Sequence, residues 1–223
     1  MPDGQYSFYL HSDDRTDIAA MATISTISQP LRGEFIRTAA TAGAVVYQVD
    51  ARLPALIPVF FAGQLSAVRL CAVMALVSGT WSSLTGLPDE PENGEAALPV
   101  SPETEYQRRR YTLTLQNGRS GERVESVLTE ASSRLRGDLL RNLIITGLAL
   151  HTTAPELPHL LASMPVPPTS VSELQALVQQ MAGTADVNRA AAAVPDTPAA
   201  SAAPVSGSDT REIKKNMRRA FGD

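Results

Sequence analysis

The hydrophobic positions follow two different periods, and they do so twice. Residues 5–11 alternate, with Tyr6, Phe8 and Leu10 on one side and Gln5, Ser7, Tyr9 and His11 on the other, the period-two pattern of a half-buried strand. From Asp14 to Ile27 the spacing changes, and Ile18, Met21, Ile24 and Ile27 recur at roughly helical steps. The alternation returns at Tyr111, Leu113 and Leu115, set against Arg110, Thr112, Thr114 and Gln116. A turn at Asn117-Gly118 follows, then Val124, Val127, Leu128 and Ala131 at helical spacing. The SSRLRG segment breaks that pattern, and Asp138 to Leu150 is apolar on nearly every side apart from Arg141 and Asn142. The prediction is strand, helix, helix, with the second helix inside a helical core.

Such a unit of about 40 residues buries too little surface to fold alone, and a lone strand leaves its backbone groups unpaired. A second copy solves both problems, and this chain encodes one. Leu31-Arg32-Gly33 and Leu135-Arg136-Gly137, Arg37 and Arg141, Gly43 and Gly147, and Leu53-Pro54 and Leu157-Pro158 are all 104 residues apart. The strands align one residue differently, Tyr6 with Tyr111, which a one-residue insertion or deletion between strand and second helix explains. Constant spacing over a long segment indicates tandem duplication. The expected fold is mainly α with a short two-stranded antiparallel β-ribbon: a tandem ribbon-helix-helix, a pseudo-dimer within one chain, plus extra helices and a disordered C-terminal tether. Pairing of the copies within the chain is preferred over pairing between chains, which would give obligate oligomers or filaments.

The expected organisation is a first repeat with following helices over 1–85, an acidic flexible linker over 86–105, a second repeat with following helix over 106–182, a disordered tether rich in alanine and proline over 183–208, and an amphipathic docking helix over 209–223. Leu53 to Val77 is the most apolar stretch, but Pro54, Pro58, Gln64 and Arg69 interrupt it. Two buried helices therefore fit better than a membrane span. Ser170 and Glu173 have the spacing of a capping box, ahead of the stripe Leu174, Leu177, Val178 and Met181. The final segment carries the stripe Ile213, Met217, Ala220 and Phe221 among Lys214, Lys215, Arg218 and Arg219. A helix that short is marginal alone and is expected to fold on a partner.

The run RNLIITGLALH from Arg141 to His151, followed by PELPHLL from Pro155 to Leu161, resembles the second helix and following segment of the ParR/StbB family of plasmid partition and stability proteins. The resemblance implies a ribbon-helix-helix protein whose copies self-associate on the repeats of a centromere-like DNA site and whose C-terminal segment binds an actin-like, ParM-like ATPase filament. It also implies repression of its own operon and no cofactor. Two rivals stand beside it: a tandem ribbon-helix-helix regulator of conjugation resembling TraY, which needs no filament, and a protein–protein scaffold for which DNA is irrelevant.

Charge and chemistry refine this picture. The 223-residue chain is 43% hydrophobic with a formal charge of −4, which does not by itself mark a nucleic-acid binder. Its cations are clustered, however, at Arg108, Arg109 and Arg110, at Arg134, Arg136 and Arg141, and in the tail, whereas Asp89, Glu90, Glu92 and Glu95 collect in the linker. The single cysteine, Cys71, excludes an internal disulfide and fits a reducing compartment. The start of the chain is polar rather than basic-then-apolar, so a cytoplasmic, plasmid-associated bacterial protein without membrane attachment is expected. The sequence contains no phosphate-cradling loop, nucleophile elbow or His/Cys cluster at metal spacing, so no enzyme and no metal site are expected.

Candidate base contacts are the outward strand residues. Arg110 can fork onto guanine and Gln116 onto adenine, Thr112 and Thr114 can meet a base edge or a thymine methyl, and the first copy offers Gln5, Ser7, Tyr9 and His11. Because the two faces differ, a ribbon made within one chain is expected to read an asymmetric site. Phosphate contacts are expected where the second helices begin, at Arg32 with Gly33 and at Arg136 with Gly137. The acidic Glu34 and Asp138 next to them oppose that role, and Arg37 and Arg141 are open to a structural one. Filament docking is assigned to Ile213, Lys214, Lys215, Met217, Arg218, Arg219 and Phe221.

Overall fold

The alternating segments form two strands, β1 (Gln5–His11) and β2 (Arg108–Thr114), which pair with each other antiparallel. The structure, a computed structural model, describes the backbone of residues 4–80 and 107–192 and side chains as far as 183. The linker 86–105, most of the tether and the docking segment 209–223 lie outside the described residues. In the ribbon Gln5 pairs with Thr114, Ser7 with Thr112, Tyr9 with Arg110 and His11 with Arg108. Ser7 and Thr112 hold the same place in the two copies, 105 residues apart, and they pair with each other. The register is therefore that of a two-fold dimer, although both strands belong to one chain. Phe8, Leu10, Leu113 and Leu115 are buried beneath the ribbon, where the Phe8 and Tyr111 rings stack with centroids 5.2 Å apart.

Among the described residues each strand is followed by four α-helices: α1 (Arg15–Ser25), α2 (Arg32–Val49), α3 (Leu53–Phe60) and α4 (Ala67–Ser78) in the first copy, and α5 (Arg119–Glu130), α6 (Arg136–Thr153), α7 (Leu157–Ser163) and α8 (Val171–Ala192) in the second. The duplication continues into the last helix, since the fully buried Leu70 and Met74 of α4 correspond to Leu174 and Val178 of α8. Ser66 and Ser170 are also equivalent, and each accepts a backbone N–H three residues on. The apolar stretch around 53–77 is thus two helices, as its prolines predict. α8 runs to Ala192, into the stretch whose composition predicts a tether, because that end is rich in alanine, the strongest helix former.

The centre of the core is the crossing of α2 and α6. A β-carbon on Gly43 would overlap the carbonyl of Leu143, and one on Gly147 would overlap that of Ala39. These two contacts exchange under the 104-residue offset, as an isologous interface requires. The helices differ in bulk. At equivalent buried places α2 has Ala39, Ala40 and Ala44, and α6 has Leu143, Ile144 and Leu148. Two α2 helices facing each other would leave voids and two α6 helices would overfill the space, so the small face is matched to the large one within a single chain.

The one-residue shift falls in the turn between strand and first helix. The helix N-caps Asp14 and Gly118 are 104 apart while the strands are 105 apart, so the second turn is one residue shorter. Gly118 adopts φ 133°, open to glycine, and a β-carbon on Gly121 would strike the Gln116 carbonyl. The tighter turn thus needs both glycines.

Candidate nucleic-acid interface

The register brings Gln5, Ser7, Tyr9, His11, Arg108, Arg110, Thr112 and Thr114 onto the outer face of the ribbon. Gln5, Arg108, Arg110, Thr112 and Thr114 are exposed, and Ser7, Tyr9 and His11 are half-buried. The two arginines are held in place. Arg110 donates from Nε and Nη2 to Ser7 Oγ at 3.2 and 2.9 Å, and the Arg108 guanidinium lies 3.5 Å from the centroid of the Tyr9 ring. Ordered donors on an exposed ribbon are suited to bidentate acceptors. Arg108 was named from sequence as part of a basic cluster but not as a base contact, because the alternation of apolar residues begins only at Tyr111. Its signal is parity: it lies two residues before Arg110 on the same side. Gln116 lies two residues past the end of β2, exposed, on the wall of a cavity of about 240 Å³ with Asn117, Arg119, Arg37 and His159.

At the starts of α2 and α6 the arginines turn back to the preceding helices. Arg32 donates to the carbonyls of Ile27 at 2.8 Å and Ser25 at 3.3 Å, and Arg136 to that of Ala131 at 3.2 Å. Both thus cap carbonyls at the C-terminal ends of α1 and α5. Gly33 is exposed; at Gly137 a β-carbon would come 3.4 Å from the Ser7 carbonyl, so the start of α6 lies close beneath β1.

Arg37 and Arg141 occupy equivalent positions and have different partners. Arg37 pairs with Glu34 on its own helix at 2.6 Å. Arg141 crosses to the first copy, donating from Nε to Asp17 at 2.6 Å and from Nη2 to Asp14 at 3.0 Å. Asp17 is fully buried and also accepts the N–H of His11 at 2.9 Å. Burial pushes its carboxyl above the usual aspartate value, against the lowering effect of Arg141. The second copy has Gly121 and Gly118 where the first has Asp17 and Asp14, so Arg37 has no acid to cross to. Neither acid was singled out from sequence; the available clue was an aspartate at the place of a glycine on the inner side of the first helix.

The profile of a family described as plasmid stability protein matches the chain twice, over residues 4–74 and 109–178, once per copy. The chain belongs to the plasmid stability protein family. The two matched segments start 105 and end 104 residues apart, the same shift as in the turns of the structure. No curated protein and no solved structure matches the chain. In this plasmid stability protein no group of three or more His, Cys, Asp or Glu among the described residues could hold a metal ion, and no described helix is long and apolar enough to cross a membrane.

Proposed function

We propose that this plasmid stability protein is a non-enzymatic, cytoplasmic DNA-binding adaptor of plasmid partition, laying its ribbon in the major groove of a centromere-like site. The supporting observation is the ribbon's outer face, polar, exposed at five of its eight positions and half-buried at the other three, and carrying two ordered guanidiniums over a shared core. A two-stranded ribbon fits the major groove, and arginine, glutamine and threonine match the base edges there. Copies bound to successive repeats self-associate and present their C-terminal segments, Ile213, Met217 and Phe221 with Lys214, Lys215, Arg218 and Arg219, to an actin-like ATPase filament. The array supplies avidity through high local concentration. Binding near its own promoter makes the same protein a repressor of its operon.

The test is binding of the full chain to duplexes from upstream of its gene across a salt series. A steep fall in affinity with salt is expected, since neutralised phosphates release counterions. Salt-independent or absent binding sinks the DNA reading and leaves the scaffold. Removal of residues 208–223 is expected to cause plasmid loss with DNA binding intact. Unchanged plasmid retention favours the TraY-like conjugation regulator instead.

A further inference from the structure

The pseudo-two-fold axis of the ribbon passes through the Ser7–Thr112 pair, and the outer face is unlike on its two sides. One side has Tyr9 paired with Arg110 and His11 with Arg108, and the other has Gln5 paired with Thr114. In a dimer of identical strands, every side chain on one side of the axis has a duplicate on the other. Here both arginines stem from one side, with the Arg110 guanidinium reaching in to Ser7 at the axis. They are also the fixed ones, Arg110 by Ser7 Oγ and Arg108 by the Tyr9 ring. Among the described residues, the arginines near the opposite end, Arg37 and Arg119, lie off the ribbon on α2 and at the start of α5.

We propose that the ribbon binds DNA in one orientation only, with Arg108 and Arg110 reading a guanine-containing half-site and Gln5 with Thr114 reading an A·T half-site, so that one chain specifies one non-palindromic site. This rests on the DNA-binding reading and adds polarity to it. Guanine offers two acceptors, O6 and N7, to an arginine fork; adenine offers an acceptor and a donor to glutamine, and thymine a methyl to threonine. Turning the chain end for end over the same duplex sets Gln5 and Thr114 on the guanines and both arginines on the A·T half. Each lost arginine–guanine pair costs about five- to hundredfold in affinity, so the reversed complex is scarcely populated. Chains on direct repeats then all point the same way, and the array itself has a direction.

The experiment is enrichment of bound duplexes from a random pool by the full chain, by R108A/R110A and by Q5A/T114A. All four positions are exposed, and melting curves check that the variants stay folded. The wild-type chain is expected to enrich a non-palindromic motif with guanine in one half. R108A/R110A should lose sequence preference in that half alone, and Q5A/T114A in the other alone. A palindromic motif, or loss spread equally over both halves in either variant, overturns the polarity while leaving DNA binding standing. Enrichment of no sequence by the wild-type chain overturns the DNA-binding reading and the inference with it.

Discussion

Replacing Arg37 or Arg141 with alanine makes the same chemical change at equivalent places in two copies of one fold, and the expected consequences differ severalfold. Arg37 and Glu34 are 27% and 62% exposed, so their pair contributes at most about 1 kcal/mol. Arg141 is the partner of Asp17, whose side chain is 0% exposed. Its removal leaves a buried carboxylate with only the His11 N–H, a situation that costs roughly 3–5 kcal/mol; the surviving hydrogen bond places R141A at the lower end. The melting temperatures should then differ by roughly 5–10 °C, at 2–4 °C per kcal/mol for a domain of this size. The pH dependence follows from Asp17. Burial raises its folded pKa above the unfolded value, so its contribution to stability is whole below the unfolded pKa and is lost as pH rises through the folded one. Removing Arg141 takes away the main influence lowering that pKa and pushes it higher still. The R141A penalty is therefore largest at about pH 7 and shrinks as the pH falls to about 4, toward the ordinary aspartate range. Urea unfolding of both variants at the two pH values measures this. Equal penalties for R37A and R141A, or an R141A penalty independent of pH, would refute the reasoning.

Substituting Gly43 or Gly147 with alanine drives a methyl into the backbone of the facing helix, so each variant should lose about 1–3 kcal/mol or more by urea titration, with G43A/G147A unfolded at ambient temperature. Gly118→Ala forces a side-chain-bearing residue to φ 133° and ψ 173° and should cost on the order of 1–3 kcal/mol with DNA affinity retained; an unchanged melting temperature argues against the tight-turn account. Arg110→Ala should leave the melting curve in place and, for the proposed base contact, reduce the slope of log affinity against log salt by less than one; a fall of about one identifies a phosphate contact instead.

The local pattern by itself determined a good deal here. Alternation fixed both strands and their inner residues, and helical spacing fixed the helices that directly follow them, because burial on one face leaves a periodic trace along the chain; the short helix α7 at Leu157 was not among the expected ones. The constant 104-residue offset revealed the duplication. The reason for pairing within the chain was also present, in the alanines of α2 against the leucines and isoleucines of α6, but it has meaning only once Gly43 and Gly147 bring those helices into contact. Other matters depended on direction in space, which spacing does not carry. Arg32 and Arg136, basic residues at helix starts, turned back to cap carbonyls. Arg37 and Arg141, at equivalent places in the two copies, were separated by whether an acid or a glycine stood across the core. The charge asymmetry of the ribbon was set by the register, because antiparallel pairing decides which end of one strand lies beside which end of the other.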